Sequence, residues 1–132
     1  KGAYRFQKHF FGMVGELESR GEEFECARTM DTLPQVKHWI RNLSTRPQTS
    51  FWLPTSTDRF YPDFVAELQD GRVLVIEYKG AHLADTQDTR EKRNIGQLWA
   101  EKSEGKGIFL MAEKRDAQGL DTRAQILALI GH

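Results

Sequence analysis

Two acidic residues and a lysine lie inside apolar, β-prone stretches of this sequence. Asp63 belongs to the stretch Tyr61–Val65, and Glu77 and Lys79 belong to the stretch Val75–Gly80. Burying a charge costs free energy unless the charge is paired or bound to a metal. Two carboxylates that converge on one point form a hard oxygen site suited to Mg²⁺, which keeps several of its waters. These residues therefore predict a site for a divalent cation with a lysine beside it.

The two stretches are joined through Asp70-Gly71, a typical signal for the turn of a β-hairpin. A three-residue loop that ends in a left-handed Gly71 would place Asp63 directly opposite Glu77, on the same face of the hairpin. A two-residue loop, which the Asp-Gly dipeptide favours locally, would place Asp63 opposite Tyr78 instead. The cost of isolated charges favours the first alternative.

Each residue type has a chemical role in such a site. A cation held by Asp63 and Glu77, with the backbone carbonyl of Tyr78 as a further ligand, would neutralise charge on a phosphate and lower the pKa of a bound water. Lys79 lies two residues after Glu77 and so on the same face, where it would stabilise charge on the phosphate oxygens. This is the chemistry of metal-dependent phosphodiester hydrolysis. The alternative interpretation is an exposed Asp63 and a surface pair of Glu77 and Lys79.

Composition limits the class of protein. A chain of 132 residues fits one compact domain, so we interpret residues 1–132 as a single domain. Its 19 basic residues balance 19 acidic ones, which counts against a stand-alone nucleic-acid binder. One cysteine, Cys26, excludes an internal disulfide and a thiolate cluster for zinc. The single cysteine and the lack of a secretory pattern in residues 1–11 lead us to expect a cytoplasmic protein. No apolar run is long enough to span a bilayer, so no membrane partner is expected. Because the chain begins with Lys1, we interpret it as a fragment of a longer protein.

Periodicity and turn signals predict the elements that must position these residues. Helices are predicted over residues 22–30, from Asp85 to near Gly105, and from an N-cap at Asp121 or Thr122 to Ile130. Strands are predicted over residues 4–10, 36–43, 51–53, 60–68, 72–79 and 106–111. This order predicts an α/β fold in which helices flank a mixed central sheet. Three tryptophans, Trp39, Trp52 and Trp99, are interpreted as core residues.

The first predicted helix offers three further acidic candidates, Glu22, Glu23 and Glu25. On a helix, Phe24, Cys26, Ala27 and Met30 form one apolar arc, and Glu23 falls near the middle of that arc. Glu22 and Glu25 fall outside it. Glu23 is therefore the predicted contributor to the site, and the alternative is a glutamate at the rim of the arc with its carboxylate in water.

These residues resemble the PD-(D/E)xK nuclease superfamily, whose motif here reads Pro62-Asp63 … Glu77-Tyr78-Lys79. The segments at residues 21–27, 36–42 and 92–99 extend the resemblance to the C-terminal endonuclease domain of the Res subunit of type III restriction enzymes, which are helicase-nucleases. The resemblance implies a restriction-endonuclease-like αβββαβ core and DNA cleavage that depends on Mg²⁺, which Mn²⁺ can replace. It also implies that Asp63 and Glu77 are metal ligands, that Lys79 is the catalytic lysine and that a first-helix glutamate, here Glu23, approaches the metal.

The same resemblance implies partners. These are double-stranded DNA, a helicase or translocase region of the same polypeptide, and a modification (methyltransferase) subunit. The chain has no Gly-x-x-x-x-Gly-Lys-Ser/Thr loop, so ATP would be used only by the helicase region. Lys92, Arg93 and Gln97 on the second long helix are the candidates for DNA contacts. Two other interpretations stay open: a catalytically degenerate DNA-binding or scaffold module, and a repair or recombination nuclease of the same fold.

Overall fold

The computed structural model describes residues 4–5, 8, 13–14, 22–42, 51–79 and 86–131. In chain order, the helices and strands of these residues are β1 (Tyr4–Arg5), β2 (Met13–Val14), α1 (Glu22–Thr32), β3 (Val36–Arg41), β4 (Leu53–Pro54), β5 (Arg59–Phe60), β6 (Phe64–Leu68), β7 (Val73–Tyr78), α2 (Gln87–Lys102), β8 (Gly107–Ala112) and α3 (Thr122–Ile130).

Within the described residues, the central sheet has four strands in the order β3-β6-β7-β8. The strands β3, β6 and β7 are antiparallel neighbours, and β8 runs parallel to β7. A parallel neighbour needs a crossover connection, which α2 provides between β7 and β8. The prediction of an α/β fold with helices flanking a mixed sheet is confirmed.

The sheet is covered on both faces, and each face has its own apolar cluster. The first cluster joins α1 and α3 to the sheet through residues such as Met30, Trp39 and Ile126. The second joins α2 and the β4–β5 hairpin (residues 51–60) to the opposite face around Val75 and Phe109. The strand β7 lies between the two clusters, which explains its continuous apolar run.

The β6–β7 hairpin has the three-residue loop. Phe64 lies opposite Ile76 and Val65 lies opposite Val75, as that alternative requires. Gly71 has a φ angle of +92°, a left-handed conformation that glycine adopts without a steric cost. The charge argument therefore predicted the pairing correctly, whereas the local preference of Asp-Gly did not.

The predicted strand over residues 60–68 is wrong in one respect, because it is two strands. Arg59 and Phe60 pair with Pro54 and Leu53 in a separate hairpin, and β6 begins only at Phe64. Pro62 has no backbone N–H to give to a ladder, so the chain leaves one sheet here and enters another. This break leaves Asp63 just before the central sheet.

Other boundaries differ by a few residues. α1 continues to Thr32, two residues beyond the prediction, and α2 begins at Gln87 with Thr86 as its N-cap. The N-cap of α3 is Asp121, one of the two predicted candidates. Of the predicted strand over 4–10, the structure describes Tyr4–Arg5 as strand, and residues 6, 7, 9 and 10, like Asp85, lie outside the described residues.

The prediction that all three tryptophans belong to the core is wrong for Trp52. Trp39 is buried and Trp99 is half-buried, but Trp52 is 38% exposed. Successive side chains of an extended segment point to opposite sides, so Trp52 points away from the side on which its neighbour Leu53 is buried.

No helix in the described part of the chain is long and apolar enough to cross a bilayer.

Candidate active site

Asp63 and Glu77 meet at one end of the central sheet. Asp63 directly precedes β6, and Glu77 is the penultimate residue of β7. The backbone N–H of Tyr78 donates to Asp63 Oδ2 at 2.8 Å. The carboxyl side chains are 21% and 16% exposed, respectively. The structure therefore brings the three predicted metal-site residues together in a largely desolvated position.

Asn42 holds the backbone on which Asp63 depends. Its backbone N–H donates to the carbonyl of Asp63 at 2.8 Å, and its Nδ2 donates to the carbonyls of Pro62 at 2.9 Å and Phe51 at 2.7 Å. Its Oδ1 accepts from the Phe51 N–H at 2.9 Å. Asn42 is only 5% exposed. Sequence reasoning gave Asn42 no role in the site, because it placed the residue inside a strand over 36–43, whereas β3 ends at Arg41.

The two carboxyl groups influence each other's protonation. Burial raises the pKa of Asp63, and the nearby charge of Glu23 adds to the effect, while the Tyr78 N–H and Arg41 oppose it. Burial and then the charge of Asp63 raise the pKa of Glu77 to about 8. When one of the two carries a proton, it can donate that proton to the other across a carboxyl–carboxylate hydrogen bond. A second charge in this place is therefore costly unless a cation accompanies it.

One oxygen in this pair has no donor. With both groups ionised, Glu77 Oε1 is buried and accepts no hydrogen bond from any described residue. An unsatisfied buried acceptor typically costs about 1–3 kcal/mol, and more when it is charged. A bound cation would satisfy it, so this orphaned oxygen fits a metal site at Asp63 and Glu77.

The donor set suits Mg²⁺ better than zinc. No group of three or more His, Cys, Asp or Glu side chains is arranged to hold a metal within the described residues. Zinc sites normally use at least three such ligands, whereas Mg²⁺ is often bound through one or two carboxylates and keeps several waters. Asp63, Glu77 and the adjacent Tyr78 peptide are consistent with the second kind of site.

Arg41 connects the first helix to the carboxyl pair. Its Nη1 forms an ion pair with Glu23 Oε1 and lies 3.7 Å from Asp63 Oδ1. Glu25 is exposed and pairs with Arg28 at 3.7 Å. Glu23 is thus a first-helix carboxylate beside Asp63, in the predicted place, although it is engaged by Arg41; its part in catalysis stays a prediction. The side chain of Glu22 lies outside the described part.

Lys79 continues the line of β7 beyond Glu77. Its backbone N–H donates to the carbonyl of Ala112 at 2.7 Å, which extends the parallel ladder by one bond. The side chain is half-buried and forms no salt bridge with the described residues. Its ammonium group is therefore not committed to a carboxylate of the described chain, as a residue that acts on a phosphate requires.

Lys92, which was predicted to contact DNA, lies next to the carboxyl pair itself. Its Nζ is 3.6 Å from Glu77 Oε2 and 3.4 Å from Asp88 Oδ2, and it lies 5.3 Å above the Phe60 ring centroid. The other two candidates for DNA contacts lie further round α2: Arg93 is half-buried and Gln97 is exposed. Contacts between these three residues and DNA stay predictions.

Comparison of the chain with protein-family models, with curated proteins and with solved structures finds no match. The functional interpretation therefore depends on the chemistry of the site. That chemistry combines two desolvated carboxyl groups, one oxygen without a donor, a lysine two residues away, and two further cations, Arg41 and Lys92, at the periphery.

Proposed function

We propose that this protein is a Mg²⁺-dependent endonuclease of the PD-(D/E)xK type that hydrolyses phosphodiester bonds in double-stranded DNA. The observation that carries the proposal is the juxtaposition of Asp63 and Glu77, both largely buried, with Lys79 on the same strand line. A purely structural role does not explain why two acids are buried together at a cost to stability.

The arrangement of elements supports the proposal. The central sheet and the helices α1 and α2 follow the order helix, three antiparallel strands, crossover helix, parallel strand from α1 to β8. This is the order expected for a restriction-endonuclease-like αβββαβ core. The candidate residues occupy the start of its second strand and the end of its third, so both reach the same end of the sheet.

In the proposed mechanism, Asp63 and Glu77 would hold the cation, and the Tyr78 N–H orients Asp63. When bound, Mg²⁺ neutralises charge on the scissile phosphate and lowers the pKa of a coordinated water. Lys79 stabilises the negative charge that develops on the phosphate oxygens. Arg41 stabilises the charge of Asp63 and holds Glu23 beside it.

We further propose a cellular setting from the sequence resemblance. The domain would be the cleavage module of a type III restriction enzyme in the cytoplasm. An ATP-driven helicase or translocase region of the same polypeptide would deliver the DNA, and a methyltransferase subunit would protect the host sites. A repair or recombination nuclease of the same fold is the alternative setting.

The test is cleavage of supercoiled plasmid by the protein with Mg²⁺ and ATP, beside the same reaction with EDTA. The isosteric variants Asp63→Asn and Glu77→Gln, and Lys79→Met, should reduce cleavage to the level of the EDTA reaction. Glu67→Gln is the matched control, because Glu67 is a half-buried glutamate of β6 that pairs with His38. Wild-type cleavage rates in a folded Asp63→Asn variant would refute the proposal.

One observation favours a second candidate, a DNA-binding module without catalysis. Arg41 and Lys92 already lie 3.7 Å and 3.6 Å from the two carboxylates, so protein cations partly balance the pair. Titration calorimetry with Mg²⁺ and Mn²⁺ separates the two. Heat of binding that disappears in Asp63→Asn supports the nuclease, and the absence of metal binding by the unaltered protein supports the binding module.

A further inference from the structure

The β4–β5 hairpin lies beside the candidate site but outside the central sheet. Its inner face is buried, with Leu53 and Phe60 packed near Val75 and Phe109. The four hydrogen bonds of Asn42 tie Phe51 and Pro62, at the two ends of the hairpin, to the backbone of Asp63. The position of the hairpin is therefore fixed relative to the carboxyl pair.

The outer face of the hairpin carries a stacked pair, Trp52 and Arg59. The guanidinium carbon of Arg59 lies 4.3 Å from the centroid of the Trp52 ring. Trp52 is 38% exposed, and Arg59 is exposed. Contact with the aromatic ring reduces the rotational freedom of the guanidinium, so less conformational entropy remains to be lost when Arg59 binds a partner.

Arg59 differs from Arg41, beside the site, and from Arg72, at the far end of the β6–β7 hairpin, in how its charge is paired. Arg41 pairs with Glu23, and Arg72 pairs with Asp70, whereas Arg59 forms no salt bridge within the part of the chain that the structure describes. Its five N–H donors are thus oriented by the tryptophan but not occupied by a carboxylate of that part. An oriented guanidinium of this kind suits a phosphate, which it can bind through two parallel hydrogen bonds.

The tip of the hairpin contacts α2. The backbone N–H of Ser56 donates to Glu91 Oε2 at 2.8 Å, and a cleft of about 480 Å³ lies between the tip and the helix. Arg90 and Asn94 line this cleft on the side of α2. Glu91 lines the cleft as well and balances the charge of Arg90, so the lining is polar without being basic.

We propose that the Trp52–Arg59 pair is a contact for the DNA backbone, in which Arg59 binds a phosphate near the scissile one and Trp52 acts as the positioning residue for its guanidinium. This inference rests on the proposed function, from which DNA is taken as the partner. The contact reads no base edge, so it contributes to affinity without regard to sequence.

The test measures the affinity of the protein for a fluorescein-labelled mixed-sequence duplex by anisotropy, in EDTA and over a range of salt concentrations. Arg59→Ala should weaken binding about tenfold, the size expected for a hydrogen bond to a charged group. It should also lower the slope of log K against log salt by about one, as expected for one lost phosphate contact. Trp52→Ala should weaken binding without changing that slope, and Trp52→Phe should restore it.

The matched controls are Arg123→Ala and Leu129→Ala, which remove an exposed arginine and an exposed apolar side chain from α3. Neither should change affinity. Arg59→Lys keeps the charge but loses the planar fork, so it should bind with intermediate affinity; this conservative variant also serves if Trp52→Ala fails to fold by circular dichroism.

Wild-type affinity in Arg59→Ala would overturn the inference, as would an equal loss in the α3 controls or no DNA binding by the unaltered protein. A parallel cleavage assay with Mg²⁺ and ATP separates this result from the proposed function. Loss of binding in Arg59→Ala without any Asp63-dependent cleavage would sustain the contact and refute the nuclease. Asp63-dependent cleavage with unchanged binding in Arg59→Ala would do the reverse.

Discussion

Each carboxylate of the candidate site has its own cation. Arg41 lies 3.7 Å from Asp63, and Lys92 lies 3.6 Å from Glu77. These cations come from different elements, the end of β3 and the first half of α2, so the fold itself supplies part of the charge that a metal would otherwise provide. A divalent cation at the proposed site would therefore compete with Lys92 for Glu77.

We predict that Lys92→Met tightens the binding of Mg²⁺ by about fivefold. The reason is that the variant removes a competing positive charge beside Glu77, and a partly exposed ion pair is worth up to about 1 kcal/mol. Titration calorimetry at a pH above 8 measures the effect with Glu77 largely ionised. Lys102→Met, at the exposed end of α2, is the control and should leave the affinity unchanged. Weaker binding in Lys92→Met would contradict the prediction.

Asn42 determines the geometry of Asp63 through hydrogen bonds that a closely similar side chain cannot make. Asn42→Asp keeps the shape but replaces the Nδ2 donor by an oxygen facing the carbonyls of Phe51 and Pro62. We expect a loss of roughly 3 kcal/mol in the free energy of unfolding, measured by urea titration, because a buried charge then faces two acceptors. Asn94→Asp on the exposed face of α2 should cost far less. Equal losses in both variants would refute this role.

The carboxyl pair could be predicted from the sequence, because two charges in apolar strands signal a site by their cost alone. Arg41 and Asn42 could not be assigned in the same way. Arg41 meets Glu23 across 18 positions of sequence, and Asn42 meets Pro62 across 20. Nothing in the local sequence of either residue indicates these distant partners, which depend on how α1 and the β4–β5 hairpin pack at the end of the sheet.

At the scale of elements, the contact between α2 and β8 positions Lys92. Gly96 is a buried residue of α2, and a Cβ atom built there would lie 2.5 Å from the Phe109 ring. The helix can approach the strand this closely only because Gly96 has no side chain. Lys92 lies one turn before Gly96, so its distance from Glu77 depends on the same approach.

We predict that Gly96→Ala destabilises the protein by about 1–3 kcal/mol, even though alanine favours helices, because the added methyl group overpacks a buried ring. Denaturant titration measures the loss. Glu101→Ala, an exposed substitution in the same helix, should have a small effect on stability. Stabilisation in Gly96→Ala would show that α2 does not depend on this approach.

The elements themselves were largely predictable, with instructive exceptions at residues 51–63. Helices and core strands follow strong periodicity and capping signals, as the N-caps Thr86 and Asp121 show. The β4–β5 hairpin was missed because its strands have only two residues each, too few to show alternation. Trp52 was wrongly predicted to be a core residue for the same reason, since a strand in the central sheet would have buried its side chain.

At the scale of the whole molecule, two apolar clusters on opposite faces of the sheet stabilise an acidic site at its end. The free thiol of Cys26 lies in the first cluster, and burial followed by the charges of Asp63 and Glu23 raises its pKa. The electrostatic influence of the site thus reaches into the core. Global stability and the protonation of the site must therefore be linked.

That linkage has a definite sign. The folded protein raises the pKa of Glu77 from 4.5 to about 8, and the pKa of Asp63 shifts in the same direction. The folded state therefore holds more protons than the unfolded state between these values, so the free energy of unfolding falls as pH rises through this window. Ionising the pair costs stability, and metal binding, which requires the ionised form, would restore it.

We predict that the melting temperature in EDTA falls between about pH 5 and pH 8, and that this fall is reduced in Glu77→Gln, which cannot ionise. Mg²⁺ should raise the melting temperature more at pH 8 than at pH 5, because protons compete with the cation for the same oxygens. Differential scanning fluorimetry measures both effects, with Glu67→Gln as the control that keeps the wild-type slope. A slope in Glu77→Gln as steep as that of the wild type would place the linked protons elsewhere. The buried acids would then not be the groups that connect the stability of this fold to its candidate metal site.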